Sequence, residues 1–179
     1  QGLARASDGS LFVASRLDGG SLIVHAADGS YRKVASGLAG ARDVEMAPNG
    51  KLYVADASRG VVLAVNDDSS LSLVAPDLAA LDGIWVDNSG VLYAVYGTNK
   101  IAVIDAAGQR TELPLAGVVT GTISGMSVRE GSVYGVVGNQ NTVLKIGSQA
   151  GAPAIEPGTV VHTASVEING LDPSGQSLG

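Results

Sequence analysis

Asn49-Gly-Lys-Leu-Tyr-Val-Ala-Asp56 decides the fold, because the chain contains four versions of it. It occurs earlier as Asp8-Gly-Ser-Leu-Phe-Val-Ala-Ser15, and later as Ser89-Gly-Val-Leu-Tyr-Ala-Val-Tyr96 and Glu130-Gly-Ser-Val-Tyr-Gly-Val-Val137. The steps between copies are 41, 40 and 41 residues. A turn followed by an alternating apolar run, returning at a period near 40, marks repeats that are each a small antiparallel sheet burying its faces against its neighbours.

The second repeat shows the strands most clearly. Asp43-Val-Glu-Met-Ala47 reads as its first strand, Pro48-Asn-Gly50 as a turn and Leu52-Tyr-Val-Ala55 as the second strand. Val61-Val-Leu-Ala-Val65 is the third and Leu71-Ser-Leu-Val74 the fourth. Period-2 alternation separates these from helices. Asn66-Asp-Asp-Ser-Ser70, Ala27-Asp-Gly-Ser30 and Ala106-Ala-Gly-Gln109 supply the Gly, Asn and Asp chemistry of tight joins between third and fourth strands. An antiparallel meander of four strands follows. Runs such as Leu52 to Ala55 suit strands packed on both faces between repeats, while Arg32, Lys33 and Arg110 fall on outer strands near solvent.

The fold class expected is therefore all-β: a β-propeller of four-stranded blades over residues 1–39, 40–79, 80–121 and 122–166, with a stub at 167–179 that begins a fifth. The whole chain, 1–179, is one such unit, and a ring of six blades would need either further residues or a partner to close it. The longest loop expected is Gly151-Ala-Pro-Ala-Ile-Glu-Pro-Gly158, at the outer edge of the fourth blade.

Composition narrows the partners. A formal charge of −6, with eleven basic residues scattered along the chain, argues against a nucleic-acid face or an anionic membrane surface. The longest apolar runs reach about half of the roughly 18 residues a membrane helix needs, so insertion is not expected. With no cysteine there is no disulfide framework and no thiolate nucleophile. No leader is recognised, and a start at Gln1 instead of Met suggests a processed chain. Together with a Gly/Ser/Ala/Val-rich, lysine-poor composition, this gives the expectation of an extracytoplasmic, periplasmic or secreted protein.

The segment from Gly40 through Ala41-Arg-Asp-Val-Glu-Met-Ala-Pro-Asn-Gly-Lys-Leu-Tyr-Val-Ala-Asp56 resembles the blade phrase of NHL-repeat and regucalcin/gluconolactonase-like six-bladed propellers, and the likeness recurs in each repeat. It is specific for fold and poor for function, since propellers of this kind serve as sensors, lactonases, streptogramin lyases and scaffolds.

In a propeller the first strands line the central channel, so the residue opening each one belongs to the channel mouth. The aligned repeats place Gln1, Arg42, Asp82, Ser124 and Asn169 there. Asp82-Gly-Ile-Trp-Val-Asp87 and Asn169-Gly-Leu-Asp172 are similar to segments that give the regucalcin and gluconolactonase family an aspartate and an asparagine ligand for a divalent metal. By that resemblance Asp82 and Asn169 would hold Ca²⁺ or Mg²⁺, hard cations suited to oxygen ligands. The order of the two differs from the family's, Ser124 intervenes, and the family's glutamate has no counterpart. Arg42 in the same ring would repel a cation.

Asp43 and Glu45 alternate with Val44 and Met46 and read as a solvated or channel-lining strand face; Trp85 reads as packing between blades. His25 and His162 lie off the first strands, away from any Ser-His-Asp spacing and unlike the channel histidines of streptogramin lyases. Asn139-Gln-Asn141, Ser58-Arg-Gly60 and Thr98-Asn-Lys100 are polar turns between second and third strands that could form a binding rim. The reading is a non-enzymatic interaction module without a cofactor, engaging protein or glycan, or completing a larger assembly through a protein partner or self-association. The alternative is a divalent-metal-dependent lactonase using Asp82 and Asn169.

Overall fold

A computed structural model describes residues 2–16, 20–98, 100–114, 122–129, 132–137, 142–148 and 159–163. Every regular element among them is a strand, and the strands form four antiparallel sheets, each pairing its members in chain order. The first blade holds β1 (Leu3–Arg5), β2 (Leu11–Ser15), β3 (Ser21–His25) and β4 (Tyr31–Ser36). The second holds β5 (Ala41–Met46), β6 (Leu52–Asp56), β7 (Val61–Val65) and β8 (Leu71–Ala75). The third holds β9 (Gly83–Val86), β10 (Leu92–Tyr96), β11 (Lys100–Ile104) and β12 (Arg110–Pro114). The fourth holds β13 (Ile123–Arg129), β14 (Ser132–Val137), β15 (Thr142–Ser148) and β16 (Thr159–Thr163). This is part of a β-propeller.

The turns close by side-chain chemistry local to each repeat. The Asp8, Asp28 and Asp68 carboxylates accept from the backbone N–H two residues on, at Ser10, Ser30 and Ser70, and the Asn49 carboxamide oxygen does the same for Lys51. These Asx turns hold each hairpin at a fixed length, and length fixes register. Because the register is fixed, each strand's alternate residues reach the two neighbouring blades.

The core lies between blades, in three layers. Leu22, Val24 and Ala14 of the first blade meet Val44, Val54 and Leu63 of the second. Ala55 and Val62 on the opposite side of that second sheet meet Ile84, Leu92 and Ala102 of the third. Tyr93, Val95 and Ile101 continue the stacking onto Ile123, Val133 and Val137. The second sheet is therefore buried on both faces, which is why Leu52-Tyr-Val-Ala55 is apolar throughout. Arg32 and Lys33 are exposed on β4 as expected for outermost strands, and Arg110 on β12 pairs with Glu112 and donates to the Pro76 carbonyl.

No helix among the described residues is long and apolar enough to cross a membrane. Gly151–Gly158 and Asn139–Asn141 lie outside the described residues.

A cleft at the mouth of the channel as candidate functional site

The innermost strands β1, β5, β9 and β13 are neighbours in that order. Their channel ends enclose a cleft of about 330 Å³, lined by residues from all four blades. Of the residues expected at the mouth, Arg42, Asp82 and Ser124 line it; Gln1 and Asn169 lie outside the described residues. Bulges aim two of the three. The β5–β6 pairing skips a residue between Ala41 and Asp43, and the β13–β14 pairing skips one between Ile123 and Gly125, so Arg42 and Ser124 are the extra residues. A bulge bends its strand and redirects one side chain. Asp82 precedes β9 and is held there by its N–H donating to the Val95 carbonyl at 2.9 Å.

Arg42 binds Asp82 at two points. Its Nε donates to the Asp82 carbonyl at 3.0 Å and its Nη2 donates to the Asp82 carboxylate, so one guanidinium spans both ends of the same residue. Both side chains remain partly exposed, which limits the pair's worth to about 1 kcal/mol. Its consequence is geometric: the second blade is clamped to the third across the cleft.

Beside this pair stand Asp43 and Glu45. Asp43 occupies the position at which the other repeats carry Gly2, Gly83 and Gly125. Its Oδ1 accepts from its own strand at Val44 N (3.0 Å), and its Oδ2 accepts from Ile84 N of the next blade (3.0 Å). The glycines around it are what make room. A Cβ on Gly2 would stand 1.7 Å from Asp43 Oδ1, and one on Gly83 would stand 3.2 Å from Oδ2. Burial pushes the Asp43 carboxyl up, against the two N–H bonds that pull it down. Burial, with the Asp43 charge behind it, raises Glu45 from 4.5 to about 7.

Part of the lining is apolar. Trp85 packs against the third inter-blade layer, as its sequence position suggests, and it also lines the cleft together with Ile84 and Met126. One signal in the sequence pointed to this site. Asp43 breaks the glycine position of the repeat, putting a carboxylate where the copies at Gly2, Gly83 and Gly125 carry no side chain.

Asn169, expected to hold a divalent metal together with Asp82, lies outside the described residues. Arg42 takes the Asp82 carboxylate, and among the described residues no group of three or more His, Cys, Asp or Glu side chains could hold a metal ion. His25 lies on β3, two strands out from the channel.

The shift at Glu45 has a measurable consequence. Between pH 4.5 and about 7 the folded chain keeps a proton that the unfolded chain has released. Stability from this group is full below the unfolded value and falls as pH rises through the folded one. Asp43, raised in the same direction, adds to the fall at its acid end. Glu45→Gln is expected to flatten that fall, leaving the variant a few degrees more heat-stable than the parent above neutrality and nearly equal to it at acid pH. Thermal melts of the two proteins across that window check it; parallel curves would show that Glu45 titrates normally.

With this geometry in place, comparisons with known proteins give the class. The virginiamycin B lyase of Staphylococcus aureus superposes with a TM-score of 0.69 at 13% identity, covering 86% of this chain and 54% of the lyase. A putative gluconolactonase gives 0.57 at 19%, covering 75% and 54%, and a chain of the nidogen/laminin complex gives 0.63 at 19%, covering 83% and 75%. The fold is that of part of a β-propeller, the one these proteins share. The chain spans about half the length of the lyase and the gluconolactonase. No family model matches the sequence, and no curated protein matches it.

Proposed function

We propose that this chain is part of a non-enzymatic binding propeller that engages its ligand, protein or glycan, at the mouth of the channel. The observation that carries the reading is the cleft itself, into which the second, third and fourth blades deliver an ion pair, two further carboxylates, a serine and a tryptophan. Convergence of polar groups onto one concave, partly apolar surface is the usual form of a recognition site. Hydrolysis by a lactonase would ask for a metal with an open position and a separate base, and Asp82 is already held by Arg42. The likeness to a propeller of the nidogen/laminin complex supports protein engagement as one mode. Closure of the ring by a partner or a second copy, and a location outside the cytoplasm, belong to the same proposal; the latter rests on composition.

Ser124→Trp tests it. Ser124 is exposed at the cleft rim and, among the described residues, its hydroxyl makes a long contact to the Val136 carbonyl, at 3.5 Å, so an indole there fills the mouth without disturbing a buried layer. On glycan and peptide arrays the variant is expected to lose ligands captured by the parent by about tenfold or more, at unchanged melting temperature. Retained capture would place binding elsewhere, and metal-dependent turnover of a sugar lactone by the parent would replace the reading with an enzymatic one.

A further inference from the structure

We infer that the ligand recognised in the channel cleft carries a primary ammonium group on an apolar, aromatic-sized stem, with the ammonium toward Asp43 and Glu45 and the stem toward Trp85, Ile84 and Met126. This deepens the binding reading above and rests on it. The cleft holds three carboxylates, Asp43, Glu45 and Asp82, against one guanidinium. Arg42 is committed to Asp82 at two points. No cation among the described residues forms an ion pair with Asp43 or Glu45. Asp43 also feels the chain's N-terminal amino group, which pulls its carboxyl down, whereas Glu45 has burial and the Asp43 charge against it; a half-buried carboxylate so placed is relieved either by a proton or by a cation from outside.

The form of the space selects among cations. A divalent ion lacks a third ligand among the described residues. An organic cation needs only two acceptors at one end and an apolar wall at the other. Carboxylate oxygens accept from an ammonium, which offers three donors. The Trp85 ring, half-buried on the third inter-blade layer, offers a face to hydrocarbon or to the cation itself. About 330 Å³ has room for an aromatic ring with a short aliphatic arm. A bulkier polymer would have to present such a group as a terminal or side-chain amine.

Proton and amine would compete at Glu45. The charged and titratable groups around it are Asp43 on its own strand, Tyr53 opposite it on β6 and the Arg42–Asp82 pair, with the chain's N-terminal amino group acting on Asp43; Gly2, just before β1, and Ile123, Ser124, Gly125 and Met126 of β13 also line the cleft. Binding is therefore expected to strengthen with pH across neutrality, a range in which a primary amine stays protonated.

Phenethylamine and its neutral isostere phenethyl alcohol separate the possibilities by calorimetric titration of the 179-residue chain. The amine is expected to bind at least about tenfold tighter than the alcohol, to tighten between about pH 6 and about pH 8, and to lose that preference in Glu45→Gln, a near-isosteric change that keeps the fold. Equal affinities, or tighter binding of the alcohol, overturn the ammonium assignment while leaving the cleft as a binding site if Ser124→Trp abolishes both. Failure of both probes to bind also overturns it, and array capture that survives Ser124→Trp would then sink the cleft reading as well. An amine preference unchanged in Glu45→Gln would show that the cation sits away from this carboxylate and overturn the orientation proposed.

Discussion

Replacing Asp56 with Ala is expected to cost about 3–5 kcal/mol of folding stability, a large loss for one side chain. Asp56 ends β6 and is fully buried. Its two carboxylate oxygens accept from Ala39 N and Gly40 N at 2.8 Å each, and from the Arg59 N–H and guanidinium at 3.3 and 3.2 Å. Ala39 and Gly40 belong to the connector between the first and second blades, so one carboxylate ties that connector down beside the fully buried Leu38. Alanine would leave these donors without their acceptor; Gly40 is buried, where an orphan N–H costs about 1–3 kcal/mol, while Ala39 and the Arg59 guanidinium can turn to water. Asn keeps one oxygen and turns an amide toward a backbone N–H, so Asp56→Asn is expected to lose about half as much. Urea unfolding at constant slope reads both midpoints directly. An alanine variant within about 1 kcal/mol of the parent would mean that the connector is held by its apolar contacts alone.

Gly20→Ala is expected to be nearly as damaging, and Gly29→Ala nearly harmless, although both glycines have left-handed backbones. Gly20 sits at φ +81° and Gly29 at φ +86°. An L side chain in that region costs about 1–3 kcal/mol by itself. At Gly29 nothing lies within 4 Å of an added Cβ, so about 1 kcal/mol is the expected loss. At Gly20 the new carbon would stand 1.9 Å from the Leu38 carbonyl oxygen. That obstacle is backbone and cannot swing away, and the Gly20 carbonyl is itself the acceptor for Leu38 N at 3.3 Å. Relief would require parting the blade from its connector, so the loss should exceed about 3 kcal/mol. Comparing the two variants by urea midpoint isolates the steric part, since the dihedral part is common to both. Equal losses would show that backbone strain alone governs both sites.

Much of the architecture was legible because it rests on short-range rules. The repeated turn-and-strand phrase, the alternation in each strand and the Asx residues of the hairpins act within a few residues, so the meander and its inter-blade faces could be read from one copy and transferred to the rest. The second blade shows the accuracy of this reading and its error. Its second and third strands agree to within a residue, whereas β5 starts at Ala41, two residues before Asp43, because the Ala41–Asp56 pairing resumes beyond the bulge at Arg42. A bulge has no strong sequence mark, yet it is what points Arg42 into the cleft.

The site was legible in part. Aligning repeats picked out Arg42, Asp82 and Ser124, which all line the cleft, whereas Asp43 and Glu45 read as one more polar strand face, solvated or channel-lining. Alternation says which side of a strand a residue takes. It does not say how closely the next blade approaches.

By itself, then, the sequence determined a stack of four-stranded sheets, the face each strand residue takes and an acidic chain without cysteine chemistry, because all of these follow from local patterning and composition. Only the tertiary structure decided that Arg42 reaches 40 residues along the chain to Asp82, that Asp43 bridges to Ile84 N, and that Glu45 is buried enough to titrate near neutrality. Each of these depends on the spacing and angle between neighbouring blades. That geometry emerges from the packed volumes of the apolar layers between them, a sum over many side chains that no single segment encodes.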